Sequence, residues 1–594
     1  MKFPSLIFAL ATLSGCALAP PRPASVARGD YTSTEAYASK LIQYEMKKNS
    51  VTGLSIALVD DQRIVWSAGF GYADLEKKIP ATAETLYRVG SISKLFTDTA
   101  AMQLQEQGRL DIDKPLRDYI PGFSIKTRYP DAVEITPRQL MTHHSGLPRD
   151  RLKGFMNPHP VPFTQLADEI HEDYVAYPPN LIFSYSNLGV TLLGIAIQNQ
   201  SGTSFAEYMR QSVLLPLGMS NSSFDTGLSS SPLMAKGYRN AKPEYDPPLR
   251  DIPAGGLNSS VTDMSRFISM IFAGGMSGDH RILREETITE MLRPQNADVP
   301  LDFNFQTGLG WMLSTLGGST IENAGKVAHH SGGTILFRSQ MYLLPEHKLG
   351  IVVLSNSSTA QAVVDHVATE ALTLALEAKT GIRQPKHSKV QPDNKPLPAK
   401  TVQDYVGDYT TAAGFARIKA CGDKIRADVA NHGFNLVHGS DGQFRLDYSL
   451  LGIFHIDLGN LGEAGLSRRK LNGRDLLVAQ IGSQEMLIGQ RIQPLSNPGL
   501  WQRYLGDYEV TNPGDDYKFT DHIRLVEERG FLLVEMTAVD AKGQKMRIPL
   551  MPISDHEGIM LGPLGDAGET VRIVQVAGEE RMLVSGYQLK KVAR

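Results

Sequence analysis

Tyr87-Arg88-Val89-Gly90-Ser91-Ile92-Ser93-Lys94-Leu95-Phe96-Thr97 joins a short extended run to the start of a helix. From position 91 to 107 the apolar residues Ile92, Leu95, Phe96, Ala100, Met102 and Leu104 recur at helical spacing, and Gly108 follows as a stop signal. Ser91 is therefore expected to open a helix. Lys94, three residues on, then shares its face, so a hydroxyl and an amine meet at the positive end of that helix. A serine hydroxyl is a weak nucleophile until a base takes its proton, and a desolvated, neutral lysine is one of the few side chains able to do so. The pattern alone is weak: an N-cap serine followed by a solvated lysine spells it as well, and Ser467-Arg468-Arg469-Lys470 repeats it.

The remaining sequence bounds the answer. A chain of 594 residues is too long for one core, so several domains are expected. A net charge of -3 gives no basic footprint for nucleic acid, which is set aside as a partner. Met1-Lys2 and the apolar positions 3–13 read as an export signal, too short to span a bilayer. Leu13-Ser14-Gly15-Cys16 resembles a bacterial lipoprotein lipobox. That resemblance implies cleavage before Cys16, lipidation of its thiol and a cell-envelope protein tethered to a membrane. Ala17, in place of Asp, implies the outer membrane in a Gram-negative source. Cys421 is the only other cysteine, so a lipidated Cys16 leaves no intramolecular disulfide.

Residues 1–16 are thus assigned to the signal and 17–32, with Pro20, Pro21 and Pro23, to a tether. A first domain is expected over 33–381. It begins with a helical pattern at 33–48 and a hairpin, Leu54-Ser55-Ile56-Ala57-Leu58-Val59 and Arg63-Ile64-Val65-Trp66-Ser67, turning at Asp60-Asp61. A second hairpin, 337–344 and 349–354, and an Ala- and Leu-rich helix over 359–379 close it. Residues 382–400 are polar and Pro-rich and read as a linker. Beyond them Tyr405-Val406-Gly407-Asp408-Tyr409 returns as Tyr504-Leu505-Gly506-Asp507-Tyr508, and Val478-Ala479-Gln480-Ile481 as Ile573-Val574-Gln575-Val576, both about one hundred residues later. Two tandem all-β modules are expected, 401–497 and 498–594, each a small closed barrel, since closure removes exposed edges.

A hydrolase built on Ser91 and Lys94 needs a second proton-handling group and backbone donors for an oxyanion. Tyr185-Ser186-Asn187 and His330-Ser331-Gly332-Gly333 supply candidates. Ser91-x-x-Lys94, Tyr185-x-Asn187 and His330-x-Gly332, in that order, resemble the three motifs of the serine β-lactamase-like family, which contains class C β-lactamases, family VIII esterases and D-aminopeptidases. Leu140-Met141-Thr142-His143-His144-Ser145-Gly146-Leu147-Pro148, Ala254-Gly255-Gly256-Leu257 and Gly308-Leu309-Gly310-Trp311 support the resemblance, which covers about 33 to 380. It implies an α+β fold, an antiparallel sheet flanked by helices, followed here by two lipocalin-like β modules. Lys379-Thr380-Gly381 also spells a third motif of this family, but it ends the long helix, with Gly381 as its cap, so the third motif is assigned to His330.

By that resemblance Ser91 is the acylated nucleophile and Lys94 its base or its base's partner. Tyr185 shuttles the proton to the leaving group, Asn187 binds the lysine or the substrate amide, and the backbone N–H groups of Ser91 and Gly333 form the oxyanion hole. His330 and Gly332 face the substrate, His330 taking the place usually held by lysine. Whether Lys94 or Tyr185 is the base stays open. No metal or other cofactor is called for; His143-His144 lacks an H-E-x-x-H context. A neutral imidazole attracts a substrate carboxylate poorly near pH 7, which disfavours β-lactams and leaves small esters, amides and short D-residue peptides. The expected activity is that of an envelope serine hydrolase, D-aminopeptidase-like. The alternatives are a β-lactamase or penicillin-binding DD-peptidase, and an inactive binding or scaffold protein.

Overall fold

A computed structural model describes residues 18–592 apart from 229, 315–319, 386–389, 394, 431, 451–453, 457–459, 540–543 and 563–567. Residues 1–16, expected to form an export signal ending at Cys16, lie outside the described residues. No helix among the described residues is long and apolar enough to cross a membrane.

The first domain is built on a six-stranded antiparallel sheet. Strands β1 (Gly53–Asp60), β2 (Arg63–Asp74), β3 (Ile79–Pro80), β4 (Ala328–Gly333), β5 (Arg338–Leu344) and β6 (Leu349–Ser355) run in the order β4-β5-β6-β1-β2-β3. Strands β1 and β6, at its middle, are buried on both faces and read accordingly as nearly continuous apolar runs. Leu54, Ile56 and Leu58 of β1 and Ile351 and Val353 of β6 pack under helices α1 (Tyr31–Lys48) and α5 (Gln361–Thr380). The alternate residues Ala57, Val59, Val352 and Leu354 face the larger core formed with helices α2 (Ser93–Glu106), α3 (Asn187–Ser201) and α4 (Val261–Phe272).

Local signals set the helix ends. Asp30 accepts from the Ser33 amide and caps α1, and Gly381, at φ +82°, ends α5 in the left-handed conformation that glycine adopts without strain. Two expectations need correction. Ser91 does not cap α2: Gly90 at φ +55° bends the chain into a 3₁₀ turn over Gly90–Ile92, and the α-helix begins only at Ser93. Residues 22–29, expected within a tether, are packed along α5. Val26 is buried there and its amide donates to Glu377 Oε1 (3.0 Å), while the Gly29 amide donates to Ala378 O (2.8 Å).

The two repeats are closed eight-strand barrels. In the second, the strands between 506 and 591 form one ring. In the first, His432–His438 pairs with Phe444–Leu450 and closes the ring between 407 and 492, leaving the short Phe454–Ile456 strand outside it. The repeated Tyr-x-Gly-Asp-Tyr does the same work twice: Tyr409 Oη donates to Tyr405 O (2.8 Å) and Tyr508 Oη to Tyr504 O (2.6 Å), tying each first strand to the helical turn before it. In the first barrel that turn, Ala399–Tyr405, starts inside the Pro-rich stretch, after Pro398, and buries Val402 in the barrel core.

Candidate active site

The 90–92 turn and helix α2 after it carry Ser91 and Lys94 into the middle of the domain. Every residue of α2 from 93 to 104 is buried, so each polar one needs a partner. Ser93 Oγ donates to Gly90 O (2.6 Å) and Thr97 Oγ1 to Pro253 O (2.7 Å). Lys94, 1% exposed, donates through Nζ to Asn187 Oδ1 and to Ala254 O, both at 2.7 Å, and lies 3.2 Å from Ser91 Oγ. The Ala254 carbonyl gets close because α3 has Gly194 where the 252–255 turn crosses it: a Cβ there would sit 2.2 Å from Pro253 Cγ.

The Tyr-x-Asn spacing follows from a helix start. Ser186 caps α3, accepting from the Gly189 amide (2.9 Å), so Tyr185 ends the extended approach and Asn187 opens the helix beside it. Asn187 Nδ2 donates to Asp150 Oδ1 (2.8 Å), which fixes the amide with its oxygen toward Lys94. The Tyr185 ring centroid lies 5.0 Å from Lys94 Nζ, 6.4 Å from the His330 ring and 4.2 Å from the His143 ring.

Strand β4 brings the third motif to the sheet edge against the 90–92 turn. The approach is tight: a Cβ on Gly332 would fall 2.0 Å from Val89 O and 3.0 Å from the Ser91 amide nitrogen, and a Cβ on Gly90 would fall 2.5 Å from the Gly333 amide nitrogen. Ser339 Oγ donates to Val89 O (2.7 Å), and the buried Arg88–Asp246 pair, with Thr334 Oγ1 donating to the same carboxylate, fastens the two segments. The amides of Ser91 and Gly333 thus flank one contact, and Gly332 sits where no side chain fits.

His330 is 3% exposed; Nδ1 donates to Ser331 O (2.6 Å), and Nε2 has no hydrogen-bond partner among the described residues. Burial, then the charge of Lys94, push its imidazole down to about 3, so it is neutral near pH 7. An unfolded histidine titrates near its ordinary value of 6.5. Between pH 3 and 6.5 the unfolded chain therefore binds this proton and the folded chain does not, and the histidine's contribution to stability is lost as pH falls below about 6.5. His330→Asn should thus gain about 2 kcal/mol relative to wild type between pH 7 and pH 5 in denaturant unfolding. A difference independent of pH would show that the ring is not held neutral.

The structure therefore gathers Ser91, Lys94, Tyr185, Asn187, His330 and the Ser91 and Gly333 amides in one place. The decoys lie apart. Lys379 Nζ pairs with Asp60 Oδ1 (2.6 Å) under α5, and Ser467 and Lys470 are in a barrel strand, where residues three apart point to opposite faces. Three contributors escaped sequence reading. His143, at φ +60° and buried, accepts at Nδ1 from the Ser186 amide (3.1 Å) and backs the Tyr185 ring; its only signal was a place beside a paired histidine. His144 is turned away, to Asp302 (2.8 Å). Asp150 had no signal. Asp98, one turn beyond Lys94, has no partner for either oxygen among the described residues, and burial holds its carboxyl well above the usual range; Gly310 leaves it room, since a Cβ there would lie 2.2 Å from Oδ2.

A hydroxyl beside a buried lysine amine, at the edge of an antiparallel sheet backed by helices, defines the class: the serine hydrolases of the β-lactamase fold. The chain belongs to the Beta-lactamase family, which it matches over residues 38–375. It is 29% identical over 352 residues to Protein flp of Staphylococcus aureus strain N315, a match covering 56% of this chain and 65% of that relative's length. It is 27% identical over 440 residues to Beta-lactamase-like protein 2 of Dictyostelium discoideum, covering 66% and 74%. Among solved structures the fold is shared with SurE (TM-score 0.55, 22% identity, 78% of this chain and 99% of that one). It is shared also with an octameric penicillin-binding protein homologue from Pyrococcus abyssi (TM-score 0.50, 24% identity, 77% and 100%).

Proposed function

We propose that this protein cleaves small amides, peptides or esters through an acyl-enzyme on Ser91, with D-aminoacyl substrates preferred. The observation that carries the reading is the set of partners around Lys94. Two of its three neighbours, Asn187 Oδ1 and Ala254 O, can only accept, whereas Ser91 Oγ can also donate. Once Lys94 has given up a proton, the amine keeps two N–H groups on the carbonyl oxygens, and its lone pair then faces the serine hydroxyl.

Ser91 Oγ attacks the substrate carbonyl carbon as its proton passes to Lys94 Nζ, and the oxyanion is received by the Ser91 and Gly333 amides. Tyr185 relays a proton to the leaving nitrogen or oxygen as its bond to the carbonyl carbon breaks. Water then attacks the Ser91 ester, giving its proton back along the same path, and releases the acid. A neutral His330 offers a hydrogen-bond acceptor at Nε2, which suits a substrate ammonium or amide N–H better than a carboxylate. Export and a lipid anchor at Cys16 remain part of the proposal, and palmitate labelling of that residue tests them.

A panel of p-nitrophenyl butyrate, D- and L-aminoacyl p-nitroanilides and a chromogenic cephalosporin tests the substrate assignment. Turnover of the ester and of D-aminoacyl anilides above the L-forms is expected, with the cephalosporin slowest. Best turnover of the cephalosporin, or a lasting penicilloyl adduct, would replace this reading with a β-lactamase or DD-peptidase. No turnover and no adduct would leave a scaffold.

A further inference from the structure

The second barrel reaches the first domain through residues 150–157, a strap that runs beside the site and begins with Asp150. Arg250, whose side chain is 1% exposed, holds the strap from one side, donating to Lys153 O and Arg151 O, both at 2.8 Å. The barrel holds it from the other. Asp516 accepts from Lys153 Nζ (2.8 Å), the Gly154 amide (3.1 Å) and Asn157 Nδ2 (2.8 Å). At the tip of the last hairpin the Ser585 hydroxyl accepts from the Leu152 amide (2.8 Å) and donates to Asp150 O (3.1 Å), while Ser585 O accepts from the Lys153 amide (3.0 Å).

That tip is shaped for the contact. Ser585 and Gly586 have φ of +49° and +83°, the two left-handed residues of a tight hairpin turn. The turn before it, Ala577-Gly578, has nearly the same angles, +51° and +81°, but nothing lies within 4 Å of where a Gly578 Cβ would be. At Gly586 a Cβ would fall 2.7 Å from Lys153 Cβ. Of two alike turns on adjoining hairpins, one is free and the other is pressed into the strap with a hydroxyl at the contact.

We propose that Ser585 is a positioning residue for the nucleophile. By fixing the strap it fixes Asp150, whose Oδ1 takes the Asn187 amide N–H and so keeps Asn187 Oδ1 toward Lys94 Nζ. An Asn187 amide turned the other way would set N–H groups against the lysine's own and draw the amine off Ser91. The barrel is then a working part of the catalytic centre. This rests on the Ser91–Lys94 reading above.

The test is inactivation of the full-length protein by a fluorophosphonate, which reads Ser91 reactivity as kinact and reagent binding as KI. Ser585→Ala removes the hydroxyl from a turn that Ala577 shows will take alanine. Its kinact should fall about tenfold, as loss of a small hydrogen-bond pair implies, with KI changed less than about twofold. Glu557→Gln weakens another part of the same interface, the contacts with Arg128 and Tyr174, and should leave both constants as in wild type. Unchanged kinact in Ser585→Ala, or equal losses in both variants, would overturn the positioning role while leaving Ser91 as nucleophile. No reaction of wild type would remove the Ser91 reading and this inference with it.

Discussion

Replacing Ser91 by alanine is expected to abolish fluorophosphonate labelling and to lower p-nitrophenyl butyrate turnover by about 10³-fold or more, the usual cost of losing a covalent nucleophile. The loss should fall on kcat, because the hydroxyl contributes to bond making and the surrounding pocket stays in place. Ser91 is half-buried in the 90–92 turn and its side chain caps nothing, so the variant should keep the wild-type melting temperature. Turnover within tenfold of wild type would place the chemistry elsewhere.

Lys94→Met should cost nearly as much, about 10³-fold in kcat, because it removes the proton acceptor and leaves an unassisted hydroxyl. Methionine matches the lysine stem in bulk. It cannot bond to Asn187, Ala254 or Ser91 as Nζ does, but it also spares the fold the burial of a polar amine on a side chain that is 1% exposed. The two effects offset, so the fold should survive, as near-UV circular dichroism would report. Tyr185→Phe discriminates between the two candidate bases. On the mechanism proposed above, with Lys94 Nζ 3.2 Å from Ser91 Oγ taking the proton, the phenol's loss should cost less than the amine's and should ease for esters with good leaving groups. A larger loss in Tyr185→Phe than in Lys94→Met, with p-nitrophenyl butyrate, would reverse the assignment.

Much of this architecture was legible in the chain because it is local. Helical period announced α1, α2 and α5, strand-like runs separated by turns announced both hairpins, and the Tyr-x-Gly-Asp-Tyr repeat announced two like modules whose tyrosines do make the same bond. The order of Ser91, Tyr185 and His330 pointed to a common site, and they do converge. What stayed hidden depends on contacts between distant parts of the chain. Asp150 is an ordinary loop carboxylate until Asn187 meets it, and His143 an ordinary histidine until Tyr185 lies on it. Ser585 is an unremarked hairpin residue until a separate barrel docks against the strap. The packing of 22–29 escaped for the same reason: proline content suggests a free tether, but Val26 finds an apolar seat on α5. The start of α2 was misplaced because one glycine at φ +55° turns the chain before the helix begins.

In the proposed mechanism the Ser91 hydroxyl, activated by Lys94, is the atom that becomes acylated. Trypsin cuts after Arg88 and after Lys94, so the hexapeptide Val89-Gly90-Ser91-Ile92-Ser93-Lys94 isolates that hydroxyl with a single competitor, Ser93. Tandem mass spectrometry of this peptide after fluorophosphonate treatment should place the adduct on Ser91. An adduct on Ser93, or on any other peptide with this one unmodified, would contradict the account.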